Sequence, residues 1–494
     1  MNRKTLLGVA VSAALYGMPL AALANGDRDR DDDRDRHGNG HGHGSHHPVD
    51  PKLIAARQKF FGIENVDSRG RVKQDKVIFS WVTNTTYVVA AQGRVMLLDS
   101  YINHAELPTA GPIDRRRSPV LPQEFVDAQP EAIFLGHGHG DHADNAAYVA
   151  KWTGATIYAA PETCVVMQTD VQRMWNDPNL HNGGAKLVPN ADPVKCVGVV
   201  PEASPPGEYT GTLANPAGGK TRVRRFKQFE PHMCVLAFKH IHSGNSPVDP
   251  SFVHSPLTDL ADPRDAGRVF TTPAVTYPAL YPTGLPYTPP GNVALRVPGQ
   301  MNTTTTGFGG SAGIIEIAYH FVLRGNNNFT FAYVNSAGPV KEGIGTGSPG
   351  LISEAQYNDP VNNGPAIALA AEIGKSLFGI MENLPKTDVM FGSVISLGAA
   401  RNQQRDIISY IQRYRPKVFV PGHFSAVAQK GSSPYYLVNW RETALAMGFP
   451  QSDWPELRWV VDPLDYFKPM VYEPGDQRWE KSHDAERRID RFCD

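Results

Sequence analysis

Leu135-Gly136-His137-Gly138-His139-Gly140-Asp141-His142-Ala143-Asp144-Asn145 sets three imidazoles and one carboxylate within the six positions from His137 to His142. The apolar run in front of it, Ala132-Ile133-Phe134-Leu135, predicts a short buried strand. If the chain stays extended beyond that strand, His137, His139 and Asp141 alternate and turn to one side, while His142 breaks the alternation and faces elsewhere. Gly138 and Gly140 give the loop the backbone freedom to fold around an ion. Imidazole with carboxylate suits zinc, manganese or iron, and no cysteine stands nearby to build a closed structural zinc cage. After the loop, Asp144 or Asn145 can cap a helix running through Ala146, Val149, Ala150 and Trp152, which Gly154 stops. Thr156-Ile157-Tyr158-Ala159 then reads as the next strand.

This order of strand, His-x-His-x-Asp-His loop, helix and strand closely resembles the metallo-β-lactamase superfamily. The motif is specific for a fold and not for a reaction. The resemblance implies an α/β (α+β) fold, a four-layer αββα sandwich with metals at one edge, over roughly Ile78 to Met447. Tyr87-Val88-Val89-Ala90-Ala91, a turn at Gln92-Gly93, and Val95-Met96-Leu97-Leu98-Asp99 resemble the opening hairpin of that family. The resemblance gives Asp99 the task of hydrogen-bonding the metal loop and orienting its ligands.

Further ligands are implied later in the chain. Met233 to Gly244 is a strand entering a loop where the family places a zinc-binding histidine. His242, followed by Ser243, matches best, and His240 on the same strand face is the alternative. Ile314 to Val322, a turn at Arg324 to Asn328, and Phe329 to Val334 form another hairpin. In the family its second strand ends in Gly-Asp-Thr, whose aspartate bridges two metals. Here Asn335-Ser336 stands in that place, so the bridging carboxylate is missing, Asn335 offers a neutral oxygen, and no substitute acid is evident nearby. His320 reads as a strand histidine, packed or exposed, rather than a ligand. Arg401 to Tyr414 predicts a helix with Ile407, Ile408 and Ile411 on one face, and Pro416 to Phe424 a strand and turn delivering His423.

The implied set is therefore His137, His139 and His242 (or His240) around a first metal, with Asp141, His142 and His423 around a second. Asp141 is also the implied catalytic group, holding the attacking water and shuttling its proton. The cofactor expected is zinc, as one or two ions, with manganese or iron as alternatives. No Gly-x-Ser-x-Gly elbow points to a serine nucleophile.

The rest of the chain bears on where it works. Residues 1–24 predict a bacterial signal peptide: Arg3 and Lys4, an apolar stretch from Leu6 to Leu23 broken by Gly8, Gly17 and Pro19, and the cleavage site Ala22-Leu23-Ala24. Residues 25–49 alternate Asp with Arg and then mix His with Gly, a composition that reads as a disordered tether. Residues 50–494 read as the hydrolase domain, carrying an inserted Pro/Thr/Gly-rich loop at about 245–310. A net charge of −1 argues against a nucleic-acid or membrane-surface partner and favours a small-molecule substrate. No stable membrane anchor is expected, and the oligomeric state is left open. Cys164 and Cys196 are candidates for a disulfide, which spacing alone leaves open. The expectation is a periplasmic or secreted metal-dependent hydrolase that uses metal-activated water on an ester, lactone, amide or phosphodiester. The alternative is a non-hydrolytic periplasmic metal-binding protein on the same fold.

Overall fold

The apolar runs offered as strands are strands in the computed structural model, which describes residues 50–102, 120–138, 140–176, 186–199, 223–241, 315–338, 352–395, 402–424, 433–460 and 468–494. The first half of the chain supplies β1 (Val77–Thr83), β2 (Thr86–Ala91), β3 (Arg94–Leu98), β4 (Ala132–Phe134), β5 (Thr156–Ala159) and β6 (Cys196–Gly198). The second supplies β7 (Arg224–Phe226), β8 (Met233–Ile241), β9 (Ile315–Leu323), β10 (Thr330–Val334), β11 (Val389–Ser393), β12 (Val418–Gly422), β13 (Glu456–Leu457) and β14 (Met470–Tyr472). Among the described residues these form two sheets, ordered β14-β1-β2-β3-β4-β5-β6 and β13-β12-β11-β10-β9-β8-β7.

Each sheet is half antiparallel and half parallel. In the first, β3 to β6 run parallel; in the second, β10 to β13 do. The inner strands are buried on both faces, as strands covered on each side must be. Between the sheets, Phe79 meets Phe331 and Phe391 at 5.1 and 4.5 Å between ring centroids, and Phe134 meets Phe321 at 4.9 Å. Alternation sends Ile78, Val88, Leu97 and Ile133 to the opposite face, where they join Phe60 and Phe61 of helix α1 (Pro51–Phe61), Phe125 of α2 (Pro122–Asp127) and Tyr148 of α4 (Ala146–Thr153). Between α2 and α4 lies the short α3 (Gly140–Ala143), and α5 (Pro161–Asn176) follows β5.

The second sheet carries its own helical cover. α6 (Glu354–Asn358) and α7 (Pro365–Asn383) precede β11, α8 (Gln403–Tyr414) precedes β12, α9 (Ser433–Ala446) follows it, and α10 (His483–Cys493) closes the chain. A side chain at Gly392 of β11 would meet Ile407 Cδ1 of α8 at 2.7 Å, so the absent side chain lets that helix lie close on the sheet. Helix, sheet, sheet and helix give the αββα order that the resemblance implied.

Two local readings need correction. Asn145 does precede a helix, but its amide donates to Ser100 O (3.0 Å) and makes no cap, in a left-handed backbone at φ 71°. The helix expected from Arg401 begins at Gln403. Two disulfides are present among the described residues: Cys164–Cys196, fastening α5 to β6, and Cys234–Cys493, which was not foreseen and ties β8 to α10. Val49–Asp494 forms one unit by its internal contacts. The expected signal peptide (1–24), tether (25–49) and insertion (245–310) lie outside the described residues. Among the described residues, no helix is long and apolar enough to cross a membrane.

Candidate metal centre

β4 ends at Phe134, and Leu135 to Gly138 leave the sheet at its parallel edge. The neighbouring β3 ends level with it, Leu98 pairing with Phe134, and Asp99 turns there through a left-handed backbone (φ 53°). Asp99 N donates to Phe134 O (2.9 Å), while its carboxylate Oδ1 accepts from Gly136 N (3.1 Å). The turn thus points a carboxylate into the metal loop. Oδ2 of the same group lies 2.7 Å from His142 Nδ1 and accepts from Thr85 Oγ1 at 2.8 Å. With Nδ1 engaged, His142 presents Nε2 outward, the arrangement in which a carboxylate fixes a ligand's tautomer.

His142 Nε2 faces two further donors. It stands 3.4 Å from Asp141 Oδ2 and 3.1 Å from His423 Nε2, and the remaining side of this triangle, His423 Nε2 to Asp141 Oδ2, is 3.2 Å. Four ligands held at zinc–nitrogen and zinc–oxygen lengths around a tetrahedral ion stand about 3.3 Å apart. The triangle therefore has the size of one face of a coordination shell, and nitrogen–nitrogen–oxygen is a donor set that a divalent ion takes. His423 reaches it from the end of β12 with φ 66°, its N donating to Asn84 O at 2.7 Å. Asn84 Nδ2 in turn donates to the backbone oxygen of Asp141 (2.6 Å). Gly422 is required here, since a side chain would meet Asn84 O at 2.8 Å.

Charge in this cluster is uneven. Burial opposes a proton on His142, yet Asp141, Asp99 and Asp144 outweigh it and raise its pKa above the ordinary histidine value. His423 goes the other way: burial lowers its pKa and the neighbouring His142 adds to that, against the pull of Asp141. Asp141 keeps an open side, its side chain 44% exposed against 1% for His142.

His137, His142 and Asp141 each place a ligand atom within 4.8 Å of one another, which brings the second ligand cluster against the first histidine of the motif. His137 is fully buried, and its ring lies 4.1 Å from that of His142. Asn335 comes in from the end of β10. Its amide nitrogen donates to Asp99 at 3.0 and 3.3 Å, and its Oδ1 stands 3.4 Å from His137 Nδ1. A side chain on Gly136 would sit 2.0 Å from Asn335 Oδ1, so Asn335 packs on bare backbone. An amide in this place hydrogen-bonds a carboxylate that a second carboxylate would repel.

No substitute acid was evident in the sequence beside Asn335, but one stands near the cluster in space. Glu316 of β9, fully buried, sets Oε1 2.7 Å from His137 Nδ1. Sequence reading missed it because it lies in the first strand of the hairpin, not at the end of the second. A signal was available: one carboxylate inside Ile314-Ile315-Glu316-Ile317-Ala318, a run otherwise apolar. Thr85 and Asn84, at the tip between β1 and β2, were also missed.

His240 is buried, with Nδ1 3.2 Å from the hydroxyl of Tyr410 on α8, and it is not among the three residues whose ligand atoms cluster. His139 and His242 lie outside the described residues. His320 is a packed core histidine, its ring stacked 6.3 Å from that of Tyr414.

No protein-family model matches the chain. In sequence it is similar to a metal-dependent hydrolase of Pyrobaculum arsenaticum, 32% identical over 82 residues, or 17% of this chain and 32% of that protein. A metal-dependent hydrolase of Pyrobaculum neutrophilum is 28% identical over 108 residues, covering 22% of this chain and 43% of the relative. The chain thus spans less than half the length of these relatives. Among solved structures, it is similar to a metallo hydrolase of the archaeon Ignicoccus hospitalis (TM-score 0.36, 10% identity, 81% of this chain and 99% of that one). It is also similar to the isothiocyanate hydrolase from Delia radicum gut bacteria (TM-score 0.35, 10% identity, 80% and 99% covered). A third is the metallo-beta-lactamase fold protein YhfI of Bacillus subtilis (TM-score 0.32, 9% identity, 81% and 99% covered).

Proposed function

We propose that the protein is a metal-dependent hydrolase resembling the metallo-β-lactamase superfamily, acting on a small molecule through an ester, lactone, amide or phosphodiester bond. The observation that carries this reading is the triangle of His142 Nε2, His423 Nε2 and Asp141 Oδ2, with sides of 3.1 to 3.4 Å. These three would hold one divalent ion, zinc in the first place with manganese or iron as alternatives. His137, with His139 and His242 outside the described residues, would hold another. When bound, such an ion supplies a nucleophilic water at near-neutral pH and polarises the carbonyl or phosphoryl oxygen under attack.

The chain's own residues do the rest. Asp99 and Thr85 hold His142 with Nε2 outward. Asp141, open to solvent on one side, can accept a hydrogen bond from the attacking water and carry its proton toward the leaving group. The walls behind are buried, at His137, His142, Glu316 and Asn335 alike. The substrate class within these bonds is set by loops around the edge, and the fold does not choose it.

Export to the periplasm or beyond is part of the proposal. The N-terminal leader composition and two disulfides, which persist in oxidising compartments, support it. The second reading, a metal-binding protein without hydrolysis, draws on Asn335 standing where the family carries its bridging acid. One experiment separates the two. Metal content per chain and turnover on a panel of esters, lactones and phosphodiesters are measured for wild type and for Asp141→Ala. Metal with turnover that the variant abolishes supports the hydrolase, metal without turnover supports the second reading, and no metal defeats both.

A further inference from the structure

The acid missing from the end of β10 has a counterpart at the start of β9. We propose that Glu316 is a positioning residue for the metal centre: its carboxylate holds Nδ1 of His137 and supplies, beside that ligand, the negative charge that Asn335 does not. The inference rests on the metal-binding reading above and adds a residue to it.

Three observations lead there. The first is the contact itself, an ion-pair approach of Glu316 Oε1 to His137 Nδ1 at 2.7 Å, with both side chains fully buried. The distance is shorter than the spacing of two donors on one ion, so the carboxylate sits against the imidazole itself. A carboxylate against Nδ1 favours the proton there, which leaves Nε2 as the ligand atom.

The second concerns the competitor. Asn335 also reaches His137 Nδ1, with its amide nitrogen at 3.2 Å and Oδ1 at 3.4 Å, but that nitrogen is shared with both oxygens of Asp99 and Oδ1 is the only acceptor it offers. Glu316 is the closer acceptor by a wide margin.

The third is how Glu316 is held. Ile317 N, one residue on, donates to Gly136 O at 2.8 Å, so the start of β9 is stitched by its backbone to the residue before His137. Glu316 pairs directly across from His240 of β8, and the two side chains share a face of the sheet. A carboxylate buried this deeply needs a positive or strongly polarised partner. An imidazole bound to a cation is such a partner.

The test uses the full chain, with cobalt(II) and zinc as probes, and reads affinity by chelator competition and ligand geometry by the cobalt visible spectrum. Glu316→Gln keeps the shape and removes the charge; its affinity is expected to fall about 10- to 100-fold, with a changed cobalt spectrum. Glu316→Asp keeps the charge on a shorter arm and is expected to fall between wild type and Gln. Adding Asn335→Asp to Glu316→Gln is expected to recover part of the lost affinity. Wild-type affinity and spectrum in Glu316→Gln would overturn the proposal. Should that variant fail to fold, Glu316→Asp decides: weakened binding supports the proposal, and unchanged binding overturns it. A wild-type chain that takes up no metal would instead defeat the metal-centre reading beneath it.

Discussion

The edge where the sheets meet and the outer face of the second sheet each bury a histidine completely, and they treat it in opposite ways. His142, at the edge, has Asp99 at 2.7 Å and Asp141 at 3.4 Å, and its pKa is raised although burial opposes the charge. His320, on β9 beneath Tyr414, has no partner at either ring nitrogen among the described residues. Burial first, and the charge of Lys481 second, push its pKa down to about 3. Equal burial therefore yields a cation-seeking imidazole in one place and an inert one in the other. Carboxylates make the difference, and they are what sets the candidate metal centre apart from the core.

The strongest way to break that contrast is to delete the two rings in turn. His142→Ala is expected to remove the metal held with Asp141 and His423 and to reduce hydrolysis to background, checked by elemental analysis and turnover. Wild-type metal content in that variant would dissolve the comparison. Asp99→Asn leaves the ligand in place but takes away its carboxylate; metal affinity should fall about 10- to 100-fold, read by chelator competition. An unchanged affinity would mean that burial alone sets the behaviour of His142.

The core histidine offers the complementary test in metal-free protein. Its folded pKa of about 3 lies below the ordinary 6.5, so its contribution to stability is present above 6.5 and is lost as pH falls toward the folded value. Each pH unit below 6.5 costs about 1.4 kcal/mol, so roughly 2 kcal/mol should be gone by pH 5. Urea unfolding at pH 7 and 5 should show that loss in the wild type and a smaller one in His320→Leu; equal losses would contradict it.

His142 carries the opposite sign. Its pKa is raised, so its protonated form stabilises the metal-free fold below 6.5, and that stability is lost as pH rises through the raised value. A metal ligand must shed this proton, so apparent affinity should begin to weaken on acidification above pH 6.5, the smallest of these effects. A titration of affinity from pH 8 to 6 that stays flat until below 6.5 would refute it.

What could be read directly from the chain was local. Short apolar runs announced β2 to β5, and the His/Gly/Asp loop after β4 pointed to the candidate site. The Pro-Gly-His turn announced His423, because strands, turns and short ligand motifs are written within a few neighbouring residues. Asp99 was legible too, as a carboxylate ending a strand. Which distant groups those ligands would meet was decided by the tertiary structure. His423 and Asp141 stand 282 residues apart in sequence, Asn335 and Asp99 236, and the Cys234–Cys493 bridge spans 259. No local pattern records such pairings. They follow from strand order and register, which turn on how two sheets bury their inner faces against each other. Glu316 shows the point most sharply. Its sequence neighbours describe an apolar strand, and it becomes a partner of His137 only because β9 docks, through Ile317, against the backbone of Gly136.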